Sequence, residues 1–379
     1  MEKEKILILG DWESIWLKKY VENVLNEDQR KIVIINDKYS ISAFDVKSEI
    51  VCLPSKKSTL LSNPRLRFLV YLLETRRAVK KYGRFDFVHV HYVNRGKLLA
   101  LRYLKKYSPK IIITFWGSDL LRKDNKELLT YEKYIEMSDN VTLASKELLK
   151  KFESVYGQKY AKKVLPIRFG ISALSKVNYG LINRDKCREE WEIPNDKKII
   201  SIGYNGSEGQ NHIPVINAIK RLPADIRKKI FLIFPLTYGL KPEYLLELEQ
   251  SLKDIECGYK IFTEFMDDTE TMKLRTVTDL FIHAQRTDAL SASVQEYLFA
   301  KKLLLNPSWI EYQEFKKMGI YYWEYHEFDE LPKLLKKYVA FGLQEDQKMR
   351  LKGNQELIAA YSSWESSSEE WKKLYTMGN

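Results

Sequence analysis

The 379-residue sequence predicts an α/β protein built from two Rossmann-like domains. Three observations carry that reading. Short β-branched runs alternate with longer helical patterns over both halves, as parallel sheets with crossover helices require. The runs are continuously apolar rather than alternating, which is how strands buried on both faces read. The chain is also long for one core and ample for two of roughly 150–200 residues. With 45% hydrophobic residues, disordered and fibrous classes are excluded.

In the first half, strands are expected at 5–10 (KILILG), 31–36 (KIVIIN), 86–91 (DFVHVH), 110–115 (KIIITF) and 140–144 (NVTLA). In the second half they are expected at 197–203, 230–235, 259–262, 279–284 and 302–306. Glycines, serines and asparagines over 168–185 interrupt the periodicity and mark a linker. The expected domains are therefore 1–175 and 176–355, followed by closing helices over 356–379 with a break near Ser362 and Ser363.

The apolar run in MEKEKILILG is too brief for a signal-peptide core, and no stretch reaches about 18 uncharged apolar residues, so neither export nor a membrane span is expected. Cys52, Cys187 and Cys257 are far apart and lack CxxC spacing, which fits a reducing cytoplasm better than a disulfide framework or a zinc site. The formal charge of +12 is unevenly distributed. Residues 1–175 hold 34 Lys and Arg against 20 Asp and Glu, and residues 51–110 alone hold 15 against 2. So concentrated a patch implies an anionic partner. Within residues 63–85, Phe68, Leu72 and Val79 fall near one stripe beside Arg65, Arg67, Arg76, Arg77, Lys80 and Lys81. That pattern suits an anionic bilayer at the inner face of the plasma membrane, or equally a core-facing helix with a solvated basic face. No recognition motif for nucleic acid accompanies the charge.

Ligands of open α/β sheets bind beyond the carboxyl ends of the strands, so the loops there hold the candidates. Gly10 and Asp11 follow the first strand without GxGxxG, which removes the main support for a dinucleotide enzyme. His89 and His91 share a strand face but have no third ligand at metal spacing; one is expected buried and the other open to a ligand. In TFWGSDLLRKDN, Gly117 permits close backbone approach, while Ser118 and Asp119 either cap a helix or bond sugar hydroxyls. The three-glycine loop GYNGSEGQNH, containing Gly203 and Asn205, suits a phosphate or nucleotide without being a P-loop, and Tyr238 follows the next strand. In QRTDALSASVQE a helix is expected to start at about Asp288, leaving amides from Leu290 through Ser291, Ala292 and Ser293 free for a diphosphate beside Arg286. Glu296, roughly 12 Å further along that helix, would reach a ribose; an N-cap aspartate and an unrelated glutamate are the plainer alternative.

Taken together these loops resemble the GT-B glycosyltransferases, in particular the family 4-like retaining enzymes. Asp288 and Glu296 keep that family's Glu, seven residues, Glu interval with Asp in the first place. TFWGSD resembles its Thr-x-His-Gly-x-Asp stretch, LASKEL its Ala-x-Ser segment, and YSSWESSSEEWKKLY its closing helix. GYNGSEGQNH, FPLTYG and IHAQRTDALSAS also look like the bacterial TDP-4-acetamidofucosyl transferases, which invert. Either resemblance implies an acceptor-binding N-terminal domain, a nucleotide-sugar site in the C-terminal one, a final helix that crosses back to the N-terminal domain, and no catalytic metal or other cofactor. The implied partners are a nucleotide-diphosphate sugar as co-substrate and a glycan or polyprenyl-linked acceptor, in bacterial surface polysaccharide synthesis. Asp288 is then the donor-sugar carboxylate. Asp11, His91 and Asp119 are the candidate bases, needed only if the enzyme inverts. The chain departs from the pattern where Tyr204 and Gln210 replace a diphosphate-clamping Arg and Lys and where Trp116 replaces a His; Arg286 and Arg168 are the candidates for the missing charge. A non-catalytic sugar-nucleotide-binding protein and a sugar-nucleotide epimerase of the same fold are the alternatives.

Overall fold

Every strand described in the computed structural model, which covers residues 3–36, 39, 47–54, 56–57, 59–63, 66–174 and 176–376, runs parallel to its neighbours. The first sheet is made of β1 (Glu4–Leu9), β2 (Arg30–Ile35), β3 (Glu49–Leu53), β4 (Phe87–His91), β5 (Lys110–Phe115), β6 (Asn140–Leu143) and β7 (Val164–Leu165), in the order β3-β2-β1-β4-β5-β6-β7. The second is made of β8 (Lys198–Ile202), β9 (Ile230–Pro235), β10 (Gly258–Phe262), β11 (Leu280–Ile282), β12 (Leu303–Pro307) and β13 (Trp323–Tyr325), in the order β10-β9-β8-β11-β12-β13. Both are the Rossmann-like units the sequence predicts. In each, the winding reverses once, between β1 and β4 and between β8 and β11. A polar crevice opens at such a switch point because the flanking crossovers leave in opposite directions.

The ten expected strands are present with shifts of a residue or two at their ends. The three not foreseen, β3, β7 and β13, are all edge strands. An edge strand lacks a neighbour on one side, so it needs no long apolar run; β7 has two residues and β13 three.

Burial on both faces follows from strand periodicity. In the second sheet Ile200, Ile202, Leu232, Phe234, Leu280 and Leu303 point into one apolar cluster. Their neighbours Ile199, Phe231 and Ile233 point into another, and Phe281 and Leu304 into a third. Each fully buried aliphatic side chain contributes roughly 1.5–3 kcal/mol, so every central strand is fixed in register by its own residues.

The chain divides into one unit of 1–170 plus 364–379 and another of 171–363. The crossing at 170/171 lies inside the expected linker. The cut expected at 355/356 falls within a continuous helix, Glu345–Ser362, that belongs to the second unit; only the helix Trp364–Thr376 joins the first. There Trp371, Leu374 and Tyr375 complete the cluster formed by Ile6, Ile8, Ile32, Ile34 and Tyr20. The Trp371 indole donates to the Arg168 carbonyl at 2.6 Å. Gly170 is required beside it, because a Cβ there would lie 2.4 Å from the Trp364 ring.

Candidate functional site

In the second unit the loops after β8, β9 and β11 form one bonded rim. Gly203 ends β8 at φ +67°, and a Cβ there would sit 2.5 Å from the His212 Nε2, so a side chain is excluded on both counts. Gly206 N–H donates to Tyr238 O at 2.8 Å, and Arg286 N–H to Gly209 O at 3.0 Å. The Asn205 amide donates to the Tyr238 hydroxyl at 3.3 Å, and the Asn211 amide to Ala284 O at 2.7 Å.

Asp288 is the hub of this rim. One carboxylate oxygen accepts the Tyr204 hydroxyl at 3.1 Å. The other accepts the Tyr312 hydroxyl and, at 2.9 Å, the Ser291 N–H. The Tyr204 and Tyr312 rings lie nearly parallel to that of His283, with centroids 6.0 and 6.2 Å away. The Asn306 amide donates to the Pro307 and Ile310 carbonyls, so its oxygen accepts from His283 Nδ1 at 3.0 Å. Burial lowers the His283 pKa against the pull of Asp288 and Asn306, which keeps the ring neutral. Four buried polar atoms here have no hydrogen-bond partner among the described residues: Gln210 Nε2, His212 Nε2, His283 Nε2 and Ser291 Oγ. Buried polar atoms are rarely left unpaired, and four on the loops following two adjacent strands mark where a polar ligand fits.

The expected helix start at Asp288 is corrected. The helix is Ala292–Phe299, preceded by Leu290 at φ +68°. A leucine is rarely left-handed, and that turn throws Asp288 off the helix axis, so the 12 Å spacing to Glu296 along one helix no longer holds. Ser291 N–H is capped by Asp288; the amides of Ala292, Ser293 and Val294 then open the helix. Glu296 is buried, and its Oε2 accepts Arg275 Nε and Nη2 at 3.1 and 2.9 Å. The same guanidinium donates to Ser293 Oγ at 3.1 Å and covers the Tyr297 ring at 4.1 Å. Glu296, expected to hold a ribose, therefore neutralises a buried arginine.

The first unit also alters the expected roles. Gly10 makes the turn out of β1, and Asp11 accepts Glu13 N–H at 3.1 Å. Both histidines are buried, contrary to the expectation that one stays open. His89 bridges Tyr375 and Thr114 hydroxyls at 2.6 Å each. His91 Nδ1 accepts the Trp116 indole at 3.4 Å, and burial, with His89 and Lys97 nearby, holds the ring well below the usual histidine range. Asp119 is fully buried and accepts N–H groups of Val93, Trp116 and Gly117 at 2.7, 2.9 and 2.8 Å, tying the loop after β4 to the loop after β5. Neither His91 nor Asp119 is open to an acceptor hydroxyl. Arg168, the other candidate cation, belongs to this unit.

Arg65 lies outside the described residues. In the helix Arg67–Tyr82, Arg67 donates to Leu61 O at 3.1 Å, while Arg76, Arg77, Lys80 and Lys81 are exposed. The buried face is Val70, Tyr71, Thr75, Ala78 and Val79. Of the expected stripe Val79 is buried and Phe68 exposed, and Leu66, Leu69 and Leu73 are exposed as well.

His283 and Tyr312 were not foreseen. Tyr312 comes 24 positions after Asp288 and meets it only because β11 and β12 pair in parallel, Ile282 opposite Leu305. The available signal was a polar aromatic just past a strand end.

Residues 5–146 match the model of the family described as Glycosyl transferase 4-like. A search of curated protein sequences finds no match. Solved structures of similar fold include a glycosyltransferase from Rickettsia africae, 14% identical with TM-score 0.74 over 99% of this chain and 98% of that one. Anabaena HepE in complex with UDP-glucose is 14% identical with TM-score 0.72 over 98% and 99%. Sucrose-phosphate synthase from Thermosynechococcus elongatus is 12% identical with TM-score 0.76 over 99% and 98%. At these identities the likeness establishes the fold alone, the architecture of two Rossmann-like domains called GT-B.

Two outcomes follow from the carboxylates. Glu296→Ala leaves Arg275 buried without its partner and is expected to lower the unfolding free energy by about 3–5 kcal/mol in urea titrations. For Asp119, burial pushes the carboxyl from 3.8 up to about 6, against its backbone hydrogen bonds. Its folded pKa thus exceeds the unfolded one, so its contribution is full below 3.8 and is lost as pH rises through about 6. From about pH 4 to about pH 7, wild type should lose on the order of 2 kcal/mol relative to Asp119→Asn; parallel pH profiles for the two proteins would contradict this.

Proposed function

We propose that this protein is a metal-independent glycosyltransferase that moves a sugar from a nucleotide-diphosphate donor to a glycan or polyprenyl-linked acceptor in bacterial surface polysaccharide synthesis. The observation that carries the reading is the family match over residues 5–146, in a chain whose fold is shared over 99% of its length with a glycosyltransferase structure. HepE, bound to UDP-glucose, supports a nucleotide-sugar donor.

The donor site is the rim of the second unit. The amides at the start of the helix Ala292–Phe299 and the exposed Arg286 meet the diphosphate, offsetting the charge that develops on the leaving group. Asp288, fixed by the Tyr204 and Tyr312 hydroxyls, is the carboxylate for the donor-sugar hydroxyls. The first unit takes the acceptor. Burial of His91 and Asp119 leaves Asp11 as the one accessible candidate of the three for taking the acceptor proton, a role that only an inverting reaction needs.

A thermal-shift panel of UDP-, GDP-, TDP- and CMP-sugars tests the donor site directly. At least one is expected to raise the melting temperature with a concentration dependence set by its affinity; no shift from any of them would remove the reading.

No helix among the described residues is long and apolar enough to cross a membrane. We place the protein in the cytoplasm, with peripheral contact to the inner face of the plasma membrane. The support is one exposed stripe at helical spacing, Leu66, Leu69 and Leu73, continued by Arg76 and Lys80. Apolar insertion plus about 1 kcal/mol per basic residue suits an anionic bilayer. Flotation is expected with phosphatidylglycerol-containing vesicles, not with phosphatidylcholine alone, and is expected to be lost in Leu69→Glu and Arg76→Glu; equal flotation with both vesicles would refute it.

A further inference from the structure

We propose that Lys241 and Arg286 together grip the donor diphosphate, and that Glu208 is a built-in competitor for these two cations which the diphosphate displaces on binding. The proposal rests on the donor site assigned above and adds a residue set and a regulatory device to it. Lys241 and Arg286 are the only Lys or Arg in residues 203–211, 236–241 and 283–291. The positions at which the family resemblance gives an Arg and a Lys hold Tyr204 and Gln210, so whatever positive charge serves this rim comes from elsewhere on it.

The backbone brings the two cations together. Gly206 approaches the loop after β9 so closely that a Cβ would lie 2.4 Å from the Leu240 Cβ, and Leu240 directly precedes Lys241. On the other side, Arg286 N–H donates to Gly209 O at 3.0 Å, one residue from Glu208. The side chains of residues 208, 241 and 286 therefore rise from neighbouring points of one rim. Glu208 Oε1 meets Lys241 Nζ at 2.9 Å, with both side chains more than half exposed. The Arg286 guanidinium is exposed and makes no ion pair among the described residues, and its field acts on Glu208. The other two carboxylates near this helix start are committed, Asp288 to two tyrosines and an amide and Glu296 to Arg275.

The charge count explains the competition. With Glu208 in place the three side chains carry one net positive charge; with Glu208 turned to solvent they present two, which matches a diphosphate. A water-exposed carboxylate–lysine pair is weak because solvent screens it. A diphosphate offers several anionic oxygens and makes charge-assisted bonds to both cations at once. When the nucleoside diphosphate leaves, Glu208 takes back Lys241, so the product is not trapped on the rim.

Isothermal titration of the full chain with UDP, GDP, ADP and dTDP, and with the parent nucleosides, tests this in wild type, Lys241→Ala, Arg286→Ala and Glu208→Gln. The two cation variants are expected to bind the preferred diphosphate roughly tenfold more weakly, the size of one charge-assisted hydrogen bond. Glu208→Gln is expected to bind it several-fold more tightly than wild type, with nucleoside affinity alike in all four proteins. Unchanged or weaker diphosphate binding in Glu208→Gln overturns the competitor, and unchanged binding in both cation variants overturns the grip, in each case with the donor reading intact. If no diphosphate binds wild type, both fall together.

Discussion

A strand with neighbours on both sides and helices over both faces has no lateral outlet for a polar side chain. The constraint is plainest in the second unit; in the first, the polar side chains inside the strands, His89, Thr114 and Thr142, are bonded to one another. Along β8 and β11 the side chains of Ile199, Ile200, Ile202, Leu280, Phe281 and Ile282 enter apolar clusters and Ser201 pairs with the Tyr297 hydroxyl, so unpaired hydrogen-bonding groups collect where the strands stop. The reversal of winding between those two strands then parts the crossovers and leaves room at that end. Gly203, Asp288 and the four unpaired polar atoms all follow from this: each lies within about ten residues of a strand terminus, and none lies in a strand interior.

The second unit uses ion pairs in two opposite ways. Arg275 and Glu296 are removed from water, and neither tolerates loss of the other, so the pair fixes the helix that carries the site. Glu208 and Lys241 stand in water, where the attraction is screened and the partners exchange readily. Burial, not the identity of the residues, decides which pair is scaffold and which is available to a ligand.

Central strands were legible in the sequence because their apolar runs are local. Of the four edge strands only β10 was legible, since β3, β7 and β13 are short and partly exposed. The candidate site was legible in outline, since the loops after β8, β9 and β11 carry the glycines and polar residues from which it is built. Its connectivity was hidden, because Tyr204 and Tyr312 reach Asp288 from 84 and 24 positions away. The Asp288 to Glu296 interval misled for a conformational reason, the left-handed turn at Leu290, which no residue pattern announces. For the basic helix the charge was countable, but Phe68 and Val79, read as one stripe, lie on opposite sides of the burial boundary.

The last helix has a bearing on how the molecule is made. Tyr20 and Tyr375 share a hydrogen bond across 355 positions, and Trp371 seals the same cluster. A ribosome delivers residue 20 long before residue 375, whereas everything in the unit of 171–363 has been synthesised before the final segment emerges. The first unit is thus completed only after the second has been made. Until residue 375 emerges, its aromatic interior lacks a wall, and the growing chain carries that unsealed surface through the synthesis of all of 171–363.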